Sequence, residues 1–269
     1  MYLKSILHMG SLMLHFRNGA TLVERMRAGQ PCDVAVLWDG TQLTHPAGRE
    51  GLLEALQEIW LERVYTGGFY RPSDGDVIVD AGANVGIFSI FMARQNRRCR
   101  VVALEPFAEN FRYLQNNITR AGLRNVTCCE TALGAAFGEA QMQAVGTRSL
   151  DHVLTASSPE LRAASLELEA RASQPGTVAV IPLSGLFELA SADEIDFLKV
   201  DIEGSERDVF AAASPDVLRR IHRIAMEYHD CIVPGTLDLL RTLLAPSHEI
   251  MVRPSKTEGS GILFARRRL

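Results

Sequence analysis

The chain has 269 residues, 47% of them hydrophobic and 22% charged, the composition of a globular protein of one large domain or one domain with an appendage. A net charge of −4 argues against a dedicated nucleic-acid or anionic-membrane surface, and no run approaches the roughly 18 apolar residues of a membrane span. The five cysteines, Cys32, Cys99, Cys128, Cys129 and Cys231, show no CxxC or Cys/His metal spacing, so reduced thiols in a cytoplasmic protein are expected.

The start, MYLKSILHMGSLMLHF, reads as a helix that packs on the body or on a second subunit, which suggests a homodimer through the N-terminal region. His8 and His15 break the apolar run a signal peptide needs. Residues 1–72 form an N-terminal extension, an acceptor pocket or a dimer contact. They carry the turn signals RNG and WDG among short β-like runs. A helix is expected from Arg49 to Tyr65, with Leu52, Leu53, Leu56, Ile59 and Trp60 on one face. The aromatics Trp60, Tyr65, Phe69 and Tyr70 either wall a pocket or pack this helix on the body.

Residues 73–269 alternate apolar runs with amphipathic segments. DVIVDAG is a short continuous apolar run, as for a strand buried on both faces, and a helix follows from about Asn84. CRVVALEP is a second strand, stopped by Pro106. FAENFRYLQNNITRAG is a helix with Phe107, Phe111, Leu114 and Ile118 on one face. NVTCCETAL is a third strand, IDFLKVDIEG a fourth and IHRIAMEYHD a fifth, with a helix after Glu203. GTLDLLRTLLA is another helix, and HEIMVRP and GILFARR form a closing antiparallel hairpin. Residues 141–178 stand outside the alternation as an insert or lid, with a helix started by Ser158 and Pro159 or a mobile segment. This order predicts an α/β, doubly wound, mostly parallel sheet.

The stretch VIVDAGANVGIFSIF places Asp80, Gly82, Ala83, Asn84 and Gly86 between the first strand and its helix. A dinucleotide fingerprint would carry three glycines where Ala81, Ala83 and Gly86 stand. A ligand without phosphate needs fewer: a sugar and an amino-acid tail require only a close backbone and a helix N-terminus. S-adenosylmethionine is such a ligand. Glu105, at the end of the second strand, is placed to accept ribose hydroxyls.

VIVDAGANVGIFS, ALEPFAENFRYLQNNI, TALG, IDFLKVDIEGSERDVF and MEYHD together resemble the FkbM-type S-adenosylmethionine-dependent methyltransferases over about residues 60–230. The resemblance implies the seven-stranded class I methyltransferase sheet, Rossmann-like, with its closing hairpin. It implies O-methylation of a hydroxyl on a small molecule in natural-product or sugar modification. By position, Asp80, Gly82, Ala83, Asn84 and Gly86 would line the methionine and ribose, Glu105 and Pro106 the ribose, and Ala132 and Leu133 the adenine. Ser184 stands where the family commonly has an acid.

Two strand ends are rich in ionisable residues. Lys199, Asp201 and Glu203 share one parity and would fall on one side if the strand stays extended; Glu227 and His229 share another. His229 is the expected general base, Asp201 the residue nearest the methyl and the methionine amine, with Glu203 and Glu227 positioning groups and Lys199 pairing an acid. A divalent ion on Asp201, Glu203, Glu227 and His229 is an alternative that the spacing does not demand. Two other functions compete: a noncatalytic cofactor-binding or scaffolding protein of the same fold, and a nucleotide-dependent oxidoreductase, which the missing glycines and the hairpin disfavour.

Overall fold

The computed structural model describes residues 2–144, 152–154 and 173–268. The chain begins with α1 (Tyr2–His15) and α2 (Gly19–Ala28), followed by an antiparallel pair, β1 (Val34–Val36) and β2 (Gln42–Thr44). The WDG turn joins β1 to β2, whereas RNG joins the two helices rather than strands. Helix α3 (Leu52–Ala55) runs on into a wider π-helical stretch, Leu56–Glu62. Leu52, Leu56 and Trp60 are buried on its inner face, with Trp60 between Phe16 and Phe91 at ring distances of 5.4 Å each.

Then come β3 (Val77–Ala81), α4 (Ile87–Gln95), β4 (Arg100–Leu104), α5 (Ala108–Arg120) and β5 (Val126–Cys129). Four strands follow outside that run: β6 (Thr131–Leu133), β7 (Gly138–Ala144), β8 (His152–Leu154) and β9 (Ser173–Ile181). After α6 (Gly185–Leu189) the chain continues through β10 (Phe197–Val200), α7 (Glu206–Ala211), α8 (Pro215–Arg219), β11 (Arg223–His229) and α9 (Thr236–Leu244). It closes with β12 (His248–Pro254) and β13 (Ser260–Arg267).

The main sheet has seven strands in the order β12-β13-β11-β10-β3-β4-β5. All its pairings are parallel except those of β13, which runs against both β11 and β12 as the closing hairpin. Every residue of β3 and β10 is buried, because helices cover both faces. Side chains alternate between two cores. Ile78, Ala103, Phe197 and Phe264 face the N-terminal segment, α4 and α5. Val79, Leu104, Leu198 and Leu263 face α6, α7 and α9.

The third strand expected over NVTCCETAL divides at the exposed Glu130. β5 is an edge strand, so past Cys129 nothing holds the chain in the main sheet. β6 instead pairs in parallel with β9, in a second sheet of order β6-β9-β7-β8, and Thr131 Oγ1 donates to Ala179 O at 2.9 Å. Part of the expected 141–178 insert is thus sheet; the helix expected from Ser158 lies outside the described residues. No helix among the described residues is long and apolar enough to cross a membrane.

Register decides what meets at the sheet's carboxyl edge. Ala81 pairs with both Leu104 and Val200, and Val200 with Met226. The residues that follow, Gly82, Glu105, Asp201 and Glu227, therefore emerge at one level. In an open α/β sheet that edge, at the switch between β3 and β10, is where ligands bind.

Candidate active site

The loop after β3 is shaped by the strand beside it. Gly82 has φ +78°, and a Cβ there would lie 1.8 Å from the backbone oxygen of Asp201, so only glycine fits. Asn84 also takes a positive φ of 50°, which asparagine tolerates, and its side chain accepts from Val85 N at 2.7 Å. The amides of Gly82 and Ala83 both donate to Leu104 O, and Gly86 leads into α4.

Asp80 is wholly buried. Its Oδ2 accepts from Ser89 Oγ at 2.7 Å and its Oδ1 lies 3.3 Å from Lys199 Nζ. Asp80 and Lys199 are register partners, so the two side chains rise on the same face. Lys199 Nζ also donates to Gly82 O at 2.7 Å and lies 3.5 Å from Asp201. Burial opposes the ammonium charge, but the Asp80 and Asp201 carboxylates outweigh it and leave the lysine pKa above its usual value.

Glu105 is 5% exposed. It accepts from the amides of Asn84 at 2.7 Å and Phe107 at 2.9 Å, tying the loop to the end of β4. Burial pushes its carboxyl up to about 7, against those hydrogen bonds. A carboxylate has about four acceptor sites, so two remain for a ligand's hydroxyls. Pro106 follows it half-buried. Ala132 and Leu133 lie on β6 with both side chains buried.

On the other side of the loop, Tyr65 links two strand ends: its hydroxyl donates to Asp201 at 3.2 Å and to Glu227 at 3.3 Å. Burial, with Asp201 and Glu227 nearby, holds this phenol well above its ordinary pKa, so it is a neutral donor. Burial and Asp201 push Glu227 up to about 7 and hold Glu203 well above the carboxylate range. Burial, Glu227 and Asp201 push Glu58 up to about 7; solvent screens part of this, because Glu58 stands at the surface of a cleft.

His229 is buried, with Nδ1 3.0 Å from Glu206 Oε1 and Nε2 3.6 Å from Glu203. Burial opposes a charged ring, yet Glu206, Glu203 and Asp201 outweigh it and push its pKa up to about 10. The surrounding carboxylates thus favour the charged ring, and a general-base role for His229 would require that proton to be given up first. Glu206, fully buried, also accepts from Ile202 N and Gly204 N and so fastens the turn after β10.

The expectation for Glu203 also changes. β10 ends at Val200, and Glu203 adopts φ +51°, so it reaches His229 instead of lining up with Lys199 and Asp201. Glu58, Glu206 and His45 are site residues that the sequence reading missed. Glu58 falls on the polar side of its helix, like Glu54 and Glu62, and Glu206 looks like an acid that favours a helix start. Among the aromatics, Tyr65 alone reaches the site; Phe69 packs on Phe264 and Tyr70 stacks on Phe197.

Two hollows adjoin these groups. A recess of about 40 Å³ lies against the loop, with Glu58, Tyr65, Asn84, Lys199 and Asp201 around it and His45 closing one side. A cleft of about 660 Å³ lies beyond, bordered by Tyr65, Glu58 and Glu227, by Arg253 of β12 and by Lys256 of the β12–β13 turn. Tyr65 and Glu58 form the wall they share. The recess offers a carboxylate and an ammonium side by side, together with the N-terminus of α4, which fits the zwitterionic end of an amino acid.

Residues 80–245 match the profile of the methyltransferase FkbM domain. The chain is 28% identical over 215 residues to the AMB antimetabolite synthetase AmbE of Pseudomonas aeruginosa, a match covering 70% of this chain and only 10% of that protein. It is also 28% identical over 207 residues to the 31-O-demethyl-FK506 methyltransferase FkbM of Streptomyces tacrolimicus, covering 70% of this chain and 78% of the relative. Among solved structures, M. jannaschii TYW2 in complex with AdoMet gives a TM-score of 0.45 at 12% identity, over 88% of this chain and 86% of that one. A likeness at that level speaks to neither ligand nor substrate.

Proposed function

The chain belongs to the FkbM family of methyltransferases, and from that premise we propose that it methylates a hydroxyl of a small molecule. S-adenosylmethionine supplies the methyl group, already activated on a sulfonium. Asp201 and Lys199 would hold the ammonium and carboxylate of the amino-acid end beside Gly82, Ala83 and Asn84. Glu105, kept in place by the amides of Asn84 and Phe107, would accept the ribose hydroxyls, with Pro106 beside it. Ala132 and Leu133 would stand toward the adenine.

One observation carries the acceptor side: Asp201 borders the recess by the loop, Glu227 borders the 660 Å³ cleft, and their carboxylates lie within 4.8 Å of each other, with Tyr65 and Glu58 lining both hollows. With an activated leaving group, the protein's main work is alignment, and a hydroxyl acceptor then needs somewhere for its proton to go. Glu227, at the cleft and with its carboxyl pushed up to about 7, is the group placed to receive it, with Glu203 sharing its neighbour His229. The imidazolium of His229 would hold those carboxylates and steer the acceptor. The 1–72 extension, which supplies Tyr65 and Glu58, would shape the cleft and with it the choice of substrate. The Streptomyces relative is named for 31-O-demethyl-FK506, an acceptor of this kind.

The test is turnover against a panel of hydroxylated metabolites, with matched amines, scored by mass for one added methyl group. O-methyl products support the reading. Methylation of the amines alone would overturn the hydroxyl assignment. S-adenosylhomocysteine binding without turnover across the panel would favour the noncatalytic alternative.

A further inference from the structure

Asp201, Glu227 and His229 each present one ligand atom within 4.8 Å of the others. Acidic groups alone would not make a site; the histidine does. His229 is 8% exposed, and its Nδ1 is held at 3.0 Å by the fully buried Glu206. With Nδ1 fixed, the ring turns Nε2 toward the carboxylates of Glu203 at 3.6 Å and Glu227 at 3.9 Å, both beyond hydrogen-bond reach. The second ring nitrogen is thus aimed at the carboxylates at ion-pair rather than hydrogen-bond distance. A carboxylate behind the other nitrogen is how metal-ligating histidines are commonly fixed in tautomer and angle. The geometry points to a divalent-cation site formed by Asp201, Glu227 and Nε2 of His229, with Glu206 as its orienting residue.

Two carboxylate oxygens and one imidazole nitrogen suit an ion such as Mn²⁺, which keeps further positions for water or substrate oxygens. The crowding of Glu58, Glu203 and Glu227 around Asp201 is a repulsion that a dication relieves. Because Asp201 borders the recess and Glu227 the cleft, an ion between them faces both. Binding displaces the Nε2 proton to solvent, since only the neutral ring ligates. The site does not depend on what the acceptor is, but its use rests on the proposed hydroxyl chemistry. A hydroxyl on the ion would become more acidic and would release its proton to solvent through the cleft.

The experiment titrates the full chain, stripped with EDTA, with Mn²⁺ alone at pH 8 and reads binding by electron paramagnetic resonance. The expected result is a single Mn²⁺ per chain, with coupling to one imidazole nitrogen in the pulsed spectrum of the unaltered protein. Glu227→Gln and Glu206→Gln should each weaken Mn²⁺ by at least about tenfold, while Glu62→Gln, at the cleft rim, leaves it unchanged. S-adenosylhomocysteine binding by Glu206→Gln reports that the variant is folded. No binding below about 1 mM overturns the site. So does Mn²⁺ without nitrogen coupling, or with equal affinity in all variants. If S-adenosylhomocysteine binds and Mn²⁺ does not, the cluster's cation is the cofactor's own ammonium; the metal site falls and the methyltransferase reading stands.

Discussion

Lys199→Met tests the centre of the site. Lys199 is 4% exposed and Asp80 0%, so solvent screens little of their interaction. The ammonium is the only cation within ion-pair distance of Asp80 among the described residues, and it also holds the carbonyl of Gly82. Methionine fills nearly the same volume, so the loss is electrostatic rather than a cavity. Removing one partner from a buried pair leaves an uncompensated charge and costs about 3–5 kcal/mol. For a chain of this size, with about 2–4 °C per kcal/mol, the melting temperature should fall by about 10 °C. Differential scanning fluorimetry measures it, and the double variant Asp80→Asn/Lys199→Met should recover at least half the loss, since the stranded charge is gone. A Lys199→Met protein that melts within about 2 °C of the parent would refute the reasoning. So would a double variant that is worse than the single one.

S-adenosylhomocysteine should raise the melting temperature while NAD does not, and the reverse pattern would remove the cofactor assignment. Gly82→Ala should destabilise by several kcal/mol, roughly 3 or more, and abolish S-adenosylhomocysteine binding by calorimetry, because the new methyl meets the Asp201 carbonyl. Glu105→Ala should weaken cofactor binding, and unchanged affinity would take Glu105 out of the ribose site. Its raised pKa also sets a pH window. The folded protein holds a proton there that the unfolded chain releases, so the contribution to stability is present below about 4.5 and is lost as pH rises to about 7. Urea titrations across that window should show the parent losing stability relative to Glu105→Gln; parallel curves would contradict it. His229→Ala should lower turnover with cofactor affinity kept, and undiminished turnover would separate His229 from the reaction.

The main sheet was legible because its strands are short continuous apolar runs, the sign of burial on both faces, and because α5 shows one apolar stripe. What escaped was set by partners far along the chain. Nothing local in NVTCCETAL says that Cys129 is the last residue with a neighbour in the sheet; that follows from β4 being the only strand beside β5. Parity placed Lys199 beside Asp201 correctly in space but failed for Glu203, since parity holds only while a strand lasts. Glu58 and Tyr65 precede the sheet altogether. Tyr65, in the turn after the helix, reaches Asp201 and Glu227 across 136 and 162 positions of sequence. His229 was picked from its strand end, but its partner was not: Nδ1 is held by Glu206, which sequence alone leaves at a helix start.

The glycine loop invites a sharper inference than the one its pattern suggests. Gly82 is glycine because a neighbouring carbonyl, that of Asp201, occupies the space of its Cβ, and Gly86 because its φ of +88° lies where other residues are strained. Neither requirement involves a ligand. A loop built this way would persist in a relative that had lost its cofactor, so glycine spacing reports how β3 and β10 approach each other. The ligand is reported instead by groups that packing does not require: a buried lysine between two acids, a glutamate tied to loop amides with acceptor sites to spare, and carboxylates crowded against their own repulsion. The crowded carboxylates cost stability in the absence of a partner. Substitutions that remove this crowding, such as Glu227→Gln, should therefore stabilise the free protein while impairing turnover. A Glu227→Gln protein that is both less stable and fully active would show that the cluster serves the fold rather than the reaction.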